Sequence, residues 1–161
     1  MTSAFLLFIV LQRLAELALA RRNTARLLAR GAREVAAAHY PFMVAMHGAW
    51  VASLVIFGHD ATIRPGWLAV FALLQVLRVW IIATLGPRWT TRIIVVDEPL
   101  VVRGPFRVVA HPNYALVVAE IAVAPLVLGL TWVALVFSAL NAAMLWVRIG
   151  AENAALRPGA R

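Results

Sequence analysis

The chain contains no cysteine, no lysine and only seven acidic residues. Without cysteine there is no disulfide framework, no thiolate metal site and no thiol nucleophile, and no metal centre is expected. The missing lysine hints only at GC-rich coding, since all fifteen basic residues are arginine. No G-x-G-x-x-G stretch occurs, so a Rossmann-type α/β fold is not supported.

What is present is apolar surface. Hydrophobic residues make up 63% of the 161 positions and the mean hydropathy is +0.87, against about 45–50% apolar content in soluble domains. The expectation is an all-α integral membrane protein with about five transmembrane helices, forming a single domain over residues 1–161. The net charge of +8 would suggest nucleic acid in a soluble chain. Its placement here points to lipid phosphates and topology instead, and no nucleic-acid partner is expected.

Taken in order, Ser3 to Ala20 is the first apolar segment, with Arg13 and Glu16 three apart inside it. No basic stretch precedes it and no small-residue cleavage pattern follows, so it reads as a retained span. Arg21 to His39 reads as a basic loop, with the Gly31-Ala32 step ending a short surface helix. Tyr40 to Gly58 is the second span, opening on Pro41, a residue tolerated at a helix start, and carrying His47 on the same face as Tyr40. Trp67 to Leu85 is the third, with Gln75 and Arg78 near mid-membrane. An ionisable residue there costs about 2.5–3.5 kcal/mol on insertion scales. Arg78 therefore either serves the site or forms a structural ion pair, for instance with Glu120.

Gly86 to Asn113 is a long polar connection. Its β-branched runs Thr91–Val96 and Leu100–Val102, separated by Asp97-Glu98-Pro99, suggest a short hairpin or extended strap at the membrane surface. Tyr114 to Gly129 and Thr131 to Val147 are the last two spans, a C-terminal helical hairpin, and Pro125 is expected to kink the fourth. Two helices of about 17 residues return both far ends to one membrane face. The polar segment Arg103 to Tyr114 and the segment Arg148 to Glu152 are thereby brought together. Asn141, Arg148 and Glu152, spaced by seven and four, make one helical stripe.

Within Arg103–Tyr114, Gly104-Pro105 and His111-Pro112 are turn punctuators, and Asn113 is available as an N-cap or first-turn residue of the helix that follows. Unpaired backbone N–H groups at such a helix start suit a polar or anionic ligand group. Arginines at 21–33, 88–107 and 148–161 place twelve of fifteen on one side of a five-span arrangement. By the positive-inside rule that side is cytosolic, and the candidate site faces the cytosol.

Gly104-Pro105-Phe106-Arg107-Val108-Val109-Ala110-His111-Pro112-Asn113-Tyr114, an apolar hairpin, and then Arg148-Ile-Gly-Ala-Glu152-Asn153-Ala-Ala-Leu156 resemble the isoprenylcysteine carboxyl methyltransferase family. Its short bacterial branch also tends to carry patterns similar to Arg22-Asn23, Gly31-Ala32-Arg33-Glu34, His39-Tyr40-Pro41, Gln75-Val-Leu-Arg78-Val-Trp80 and Leu85-Gly86-Pro87-Arg88-Trp89. The likeness runs from about Arg13 to Leu156. It implies an integral-membrane enzyme, bacterial inner membrane by the branch, that uses S-adenosylmethionine to methylate a carboxyl or hydroxyl group of a lipophilic acceptor dissolved in the bilayer. An alkyl-pyrone or alkyl-phenol is the kind of acceptor the branch suggests.

The resemblance assigns His111, Asn113, Tyr114 and Glu152 to the cofactor, with the loop from Gly104 to Arg107 closing over it. Arg148 orients Glu152 or holds an acidic acceptor, and His111 or Glu152 serves as a base where one is needed. Arg78, Gln75 and His47 are the candidates for the acceptor. The chain departs from the family pattern at Ala110, where arginine commonly stands, at Ala115-Leu116, and at Glu152-Asn153 in place of a Glu-Glu pair. Two alternatives are a phospholipid N-methyltransferase and a non-enzymatic scaffold or transporter subunit whose intramembrane charges serve packing.

Overall fold

The structure, a computed structural model, describes residues 1–99, 101–109 and 111–155, with backbone alone for 152–155. The first helix, α1 (Thr2–Ala29), has 28 residues and is about 42 Å long. It outruns the hydrocarbon, so Arg21, Arg22 and Arg26 ride on a helical extension of the first span, and the surface helix expected to end at Gly31-Ala32 is continuous with that span. Nothing between Arg21 and Ala29 breaks a helix, and Ala, Leu and Arg are strong helix formers. Inward-facing polar groups anchor the extension. The Asn23 amide donates to the Trp89 carbonyl at 2.8 Å, and the Thr24 and Thr90 hydroxyls meet at 2.7 Å. The helix ends at Gly31, whose φ of +88° is left-handed.

A short strand β1 (Arg33–Val35) and a 3-10 turn (Ala37–His39) lead into α2 (Tyr40–Gly58). Next come α3 (Pro65–Leu85), strand β2 (Ile93–Val95), a 3-10 turn (Gly104–Arg107), α4 (Pro112–Val127) and α5 (Thr131–Ala155). Proline opens α3 and α4, as its fixed φ favours. Four of these helices are long and apolar enough to cross a membrane; α4, at 16 residues or about 24 Å, is a shorter apolar helix. Pro125 lies in the last turn of α4, two residues before the helix ends.

Of the hairpin and the strap that the sequence left open, the described residues form the strap. β2 pairs antiparallel with β1, Glu34 opposite Ile94, and neither Val101 nor Val102 is in a strand; Leu100 lies outside the described residues. Pro99 lacks an N–H for a ladder, whereas Arg92 and Glu34 join the two connections through Nη1–Oε contacts of 2.6 and 2.8 Å. The α1–α2 and α3–α4 connections thus form one surface strap.

At the opposite end of the bundle the turn between α4 and α5 is a Schellman motif. The Leu130 N–H donates to the Pro125 carbonyl at 2.9 Å and the Gly129 N–H to Leu126 at 3.1 Å, with Gly129 at φ +73°. Around it Phe5, Ile9, Trp50, Leu54, Phe71, Ile121, Val127 and Val133 pack into the main core. Leu7, Leu14, Val76, Val79, Leu135 and Trp146 point outward and exposed, as lipid-facing side chains do. The bundle is dense at the Gly129 end and hollow beneath the strap.

Candidate functional site

Between the core and the hollow lies a buried polar cluster. Arg78 Nε donates to Glu120 Oε1 at 2.7 Å, and its Nη2 pairs with Oε2 of the same carboxylate. Arg78 Nη1 and Arg13 Nη1 each lie 3.1 Å from Glu16 Oε2, and Arg13 Nη2 reaches Glu120 Oε2. Gln75 donates to Glu120 Oε1 at 3.1 Å and accepts from Gln12 at 2.6 Å. Two arginines and two glutamates from α1, α3 and α4 thus form a set that is neutral when all four are charged. That offsets the cost of carrying four charges inside a membrane. The ion pair expected for Arg78 with Glu120 is present. Arg78 also borders the hollow together with Arg13 and Glu16, whereas Gln75 is turned into the cluster.

The hollow is a cavity of ≈ 790 Å³, within the size range of small-molecule sites. Its walls include His47, Arg78, His111, Asn113, Tyr114 and Arg148, and the strap from Arg88 to Val96 forms part of the roof. Proline-started α4 holds Asn113 and Tyr114 in its first turn, where the N–H groups of Tyr114 and Ala115 are taken by the His111 carbonyl. The His111 and Tyr114 rings stack at 5.3 Å with planes 16° apart. Arg148, 5% exposed, lies 5.7 Å from the Tyr114 ring centre and donates to the Thr91 carbonyl at 3.1 Å. The hairpin geometry read from helix length therefore holds: the His-Pro segment and Arg148 meet in one place.

His47 Nδ1 lies 2.9 Å from the Met43 carbonyl. A carbonyl only accepts, so Nδ1 carries the proton, and in the neutral ring Nε2 keeps its lone pair. Gly104 and Arg107 are not among the described wall residues; both are exposed. Gly104 instead docks the loop. At φ +56° a Cβ there would come within 2.9 Å of Thr84 Oγ1, and Arg103 donates to the Thr84 carbonyl at 3.3 Å. Their neighbour Phe106 is the residue of that loop on the wall. The side chain of Glu152, like Asn153, Ala110 and Leu156, lies outside the described residues.

Tyr40, Met43, Gly48 and Val51 also border the cavity, and their spacing with His47 was a readable signal, one stripe repeating every three or four residues along α2. Trp89, Thr91 and Arg92 were not readable in this way. They reach the wall through a strap whose partner strand is about sixty residues away in sequence.

The family profile of isoprenylcysteine carboxyl methyltransferases (ICMT) matches residues 67–158. Among curated proteins, the "Uncharacterized protein YpbQ" of Bacillus subtilis (strain 168) is 37% identical over 155 residues, covering 92% of this chain and 92% of its own. No solved structure matches.

Proposed function

The chain belongs to the isoprenylcysteine carboxyl methyltransferase family, and from that premise we propose that it transfers the methyl group of S-adenosylmethionine to a carboxyl or hydroxyl oxygen of a lipophilic acceptor dissolved in the bilayer. The observation that carries this reading is the convergence of His111, Asn113, Tyr114 and Arg148 on one wall of a ≈ 790 Å³ cavity inside a membrane bundle.

The wall suits the cofactor's chemistry. The stacked His111–Tyr114 pair offers an aromatic face, which attracts a cation such as a sulfonium. The Arg148 guanidinium suits a carboxylate, and the Asn113 amide is at hand for a ribose or adenine edge. Glu152, one turn beyond Arg148, is the candidate partner for the ribose hydroxyls or the cofactor amine. Bound S-adenosylmethionine supplies an already activated methyl group, so the protein's task is alignment and exclusion of water.

The chain's residues divide that task. His111, Tyr114 and Arg148 hold the donor side. His47 and Arg78, on α2 and α3, face the acceptor side, with Gln75 acting through Glu120. A carboxylate acceptor needs no base; for a hydroxyl, His111 or Glu152 takes the proton. The strap roofs the cavity at the arginine-rich end of the bundle, which by charge is the cytosolic side, where a soluble cofactor is available.

Calorimetric titration of the purified protein with S-adenosylmethionine, and transfer of label from its methyl group to extracted membrane lipids, test the reading together. Binding lost in His111→Ala and label appearing in a lipid acid or hydroxyl compound are the expected results. Absence of binding by the wild-type protein overturns it.

A further inference from the structure

Asn141 stands two turns from Arg148 on the same stripe of α5, deep in the span. It is 1% exposed and borders the cavity, and among the described residues its Nδ2 has no hydrogen-bond partner. A buried amide N–H without a protein acceptor is a standing cost, and a cavity occupant that brings an acceptor relieves it. The side-chain amide turns easily about χ2, so Nδ2 can be presented to whatever fills the cavity.

The rest of the wall shows what that occupant must bring. Two other buried nitrogens there lack partners, Trp89 Nε1 and Arg13 Nε, and both are donors. The described wall carboxylates are already held: Glu16 by Arg13 and Arg78, Glu98 by Arg30 and Arg88. Arg92 is matched by Glu34, but among the described residues Arg148 meets no carboxylate. Among the described residues the wall thus carries buried N–H donors without acceptors. Such donors are satisfied by an oxygen anion and not by an ammonium head, which brings only further N–H groups.

We propose that Asn141 is the anchor for the polar head of the acceptor, donating from Nδ2 to an anionic oxygen, so that the acceptor enters head-inward toward the middle of the membrane. This rests on the methyl-transfer reading for the word acceptor only; the binding itself stands on the unpartnered donors. The alkyl chain has a way out. A groove of ≈ 400 Å³ between α1 and α2, apolar at Leu17, Pro41, Val44 and Ala45 and rimmed by Arg21, Tyr40 and Arg92, shares Leu17, Tyr40, Val44 and Arg92 with the cavity.

The test uses the full chain in phosphatidylcholine nanodiscs, with empty nanodiscs as reference, titrated with palmitate and with hexadecylamine, two probes of equal chain length and opposite head charge. Wild type binds palmitate about tenfold or more tightly than hexadecylamine. Asn141→Leu removes the amide and keeps its branched shape; palmitate binding falls about tenfold, S-adenosylmethionine binding is unchanged, and the melting temperature does not fall, because the unsatisfied amide is gone. A role confined to packing would lower the melting temperature and spare palmitate.

Equal palmitate affinity in wild type and Asn141→Leu overturns the proposal, as does a wild type that prefers the amine. The wild-type comparison decides by itself should the variant not fold. Loss of S-adenosylmethionine binding in the wild type would instead sink the methyl-transfer reading and leave the palmitate comparison to be judged separately.

Discussion

Arg78 meets Glu120 with one edge of its guanidinium, Nε to Oε1 at 2.7 Å and Nη2 to Oε2, in a pair that is almost wholly buried. The two residues are 42 positions apart and tie α3 to α4 at the floor of the cavity. Their arrangement sets the first expectation.

Removing one partner strands the other. Arg78→Leu leaves Glu120 with Arg13 and Gln75 but without its bidentate partner, and breaking a buried pair in this way costs about 3–5 kcal/mol. Denaturation of Arg78→Leu, Glu120→Leu and the double variant forms a cycle in which the double variant loses less than the sum of the singles. Arg78→Leu should depress acceptor turnover or folding more than S-adenosylmethionine affinity, which calorimetry reads separately.

At the far end, Gly129→Ala places a Cβ where φ is +73° and where Arg64 Nη2 would be 2.8 Å away. The arginine tip can move, but the left-handed backbone cannot be relieved. A loss of about 1–2 kcal/mol is expected, seen as a lower melting temperature with S-adenosylmethionine affinity intact, since the turn is remote from the cavity.

Tyr114→Leu deletes the ring that stacks on His111 and faces Arg148. Stacking and cation–π contacts of this kind are worth about 0.5–2 kcal/mol, so S-adenosylmethionine affinity should fall several-fold while Tyr114→Phe retains most of it. Titration of both variants checks this, and equal loss in the two would show that the hydroxyl matters and the ring does not.

Gly104→Val forces the docked loop off Thr84 and Trp80, where even a Cβ lies 2.9 Å from Thr84 Oγ1. Phe106 then leaves the cavity wall. Methyl transfer should fall by more than the melting temperature implies, measured as initial rate against stability for the same preparation.

Several of these relationships were legible before any coordinates. Helix spans follow from local composition, because a bilayer demands about 20 consecutive apolar residues whatever the neighbours are. The meeting of His111 and Tyr114 with Arg148 follows from rise per residue, since α5 from Thr131 to Arg148 climbs about as far as α4 descends across a tight turn. Even the Arg78–Glu120 pair was open to inspection, because a buried arginine needs an anion and α4 offers one. The helix end at Gly31-Ala32 was legible, but the continuity of Arg21–Ala29 with the first span was not, because charge density marks exposure and an exposed helix carries as much charge as a loop.

Other features have no local signature. The β-branched run at Ile93–Val95 had a nearer candidate partner, and only chain geometry brings Arg33–Val35 alongside it with Glu34 in reach of Arg92. Composition and periodicity settled that this chain lives in a membrane, where its helices lie and which ends share a face, because those are short-range consequences of burying apolar surface and of the 3.6-residue turn. Tertiary structure decided that the bundle is packed at the Gly129 end and hollow under the strap, and that the Asn141 amide sits at the cavity without an acceptor, because both depend on how side chains from all five helices fill, or fail to fill, the same space.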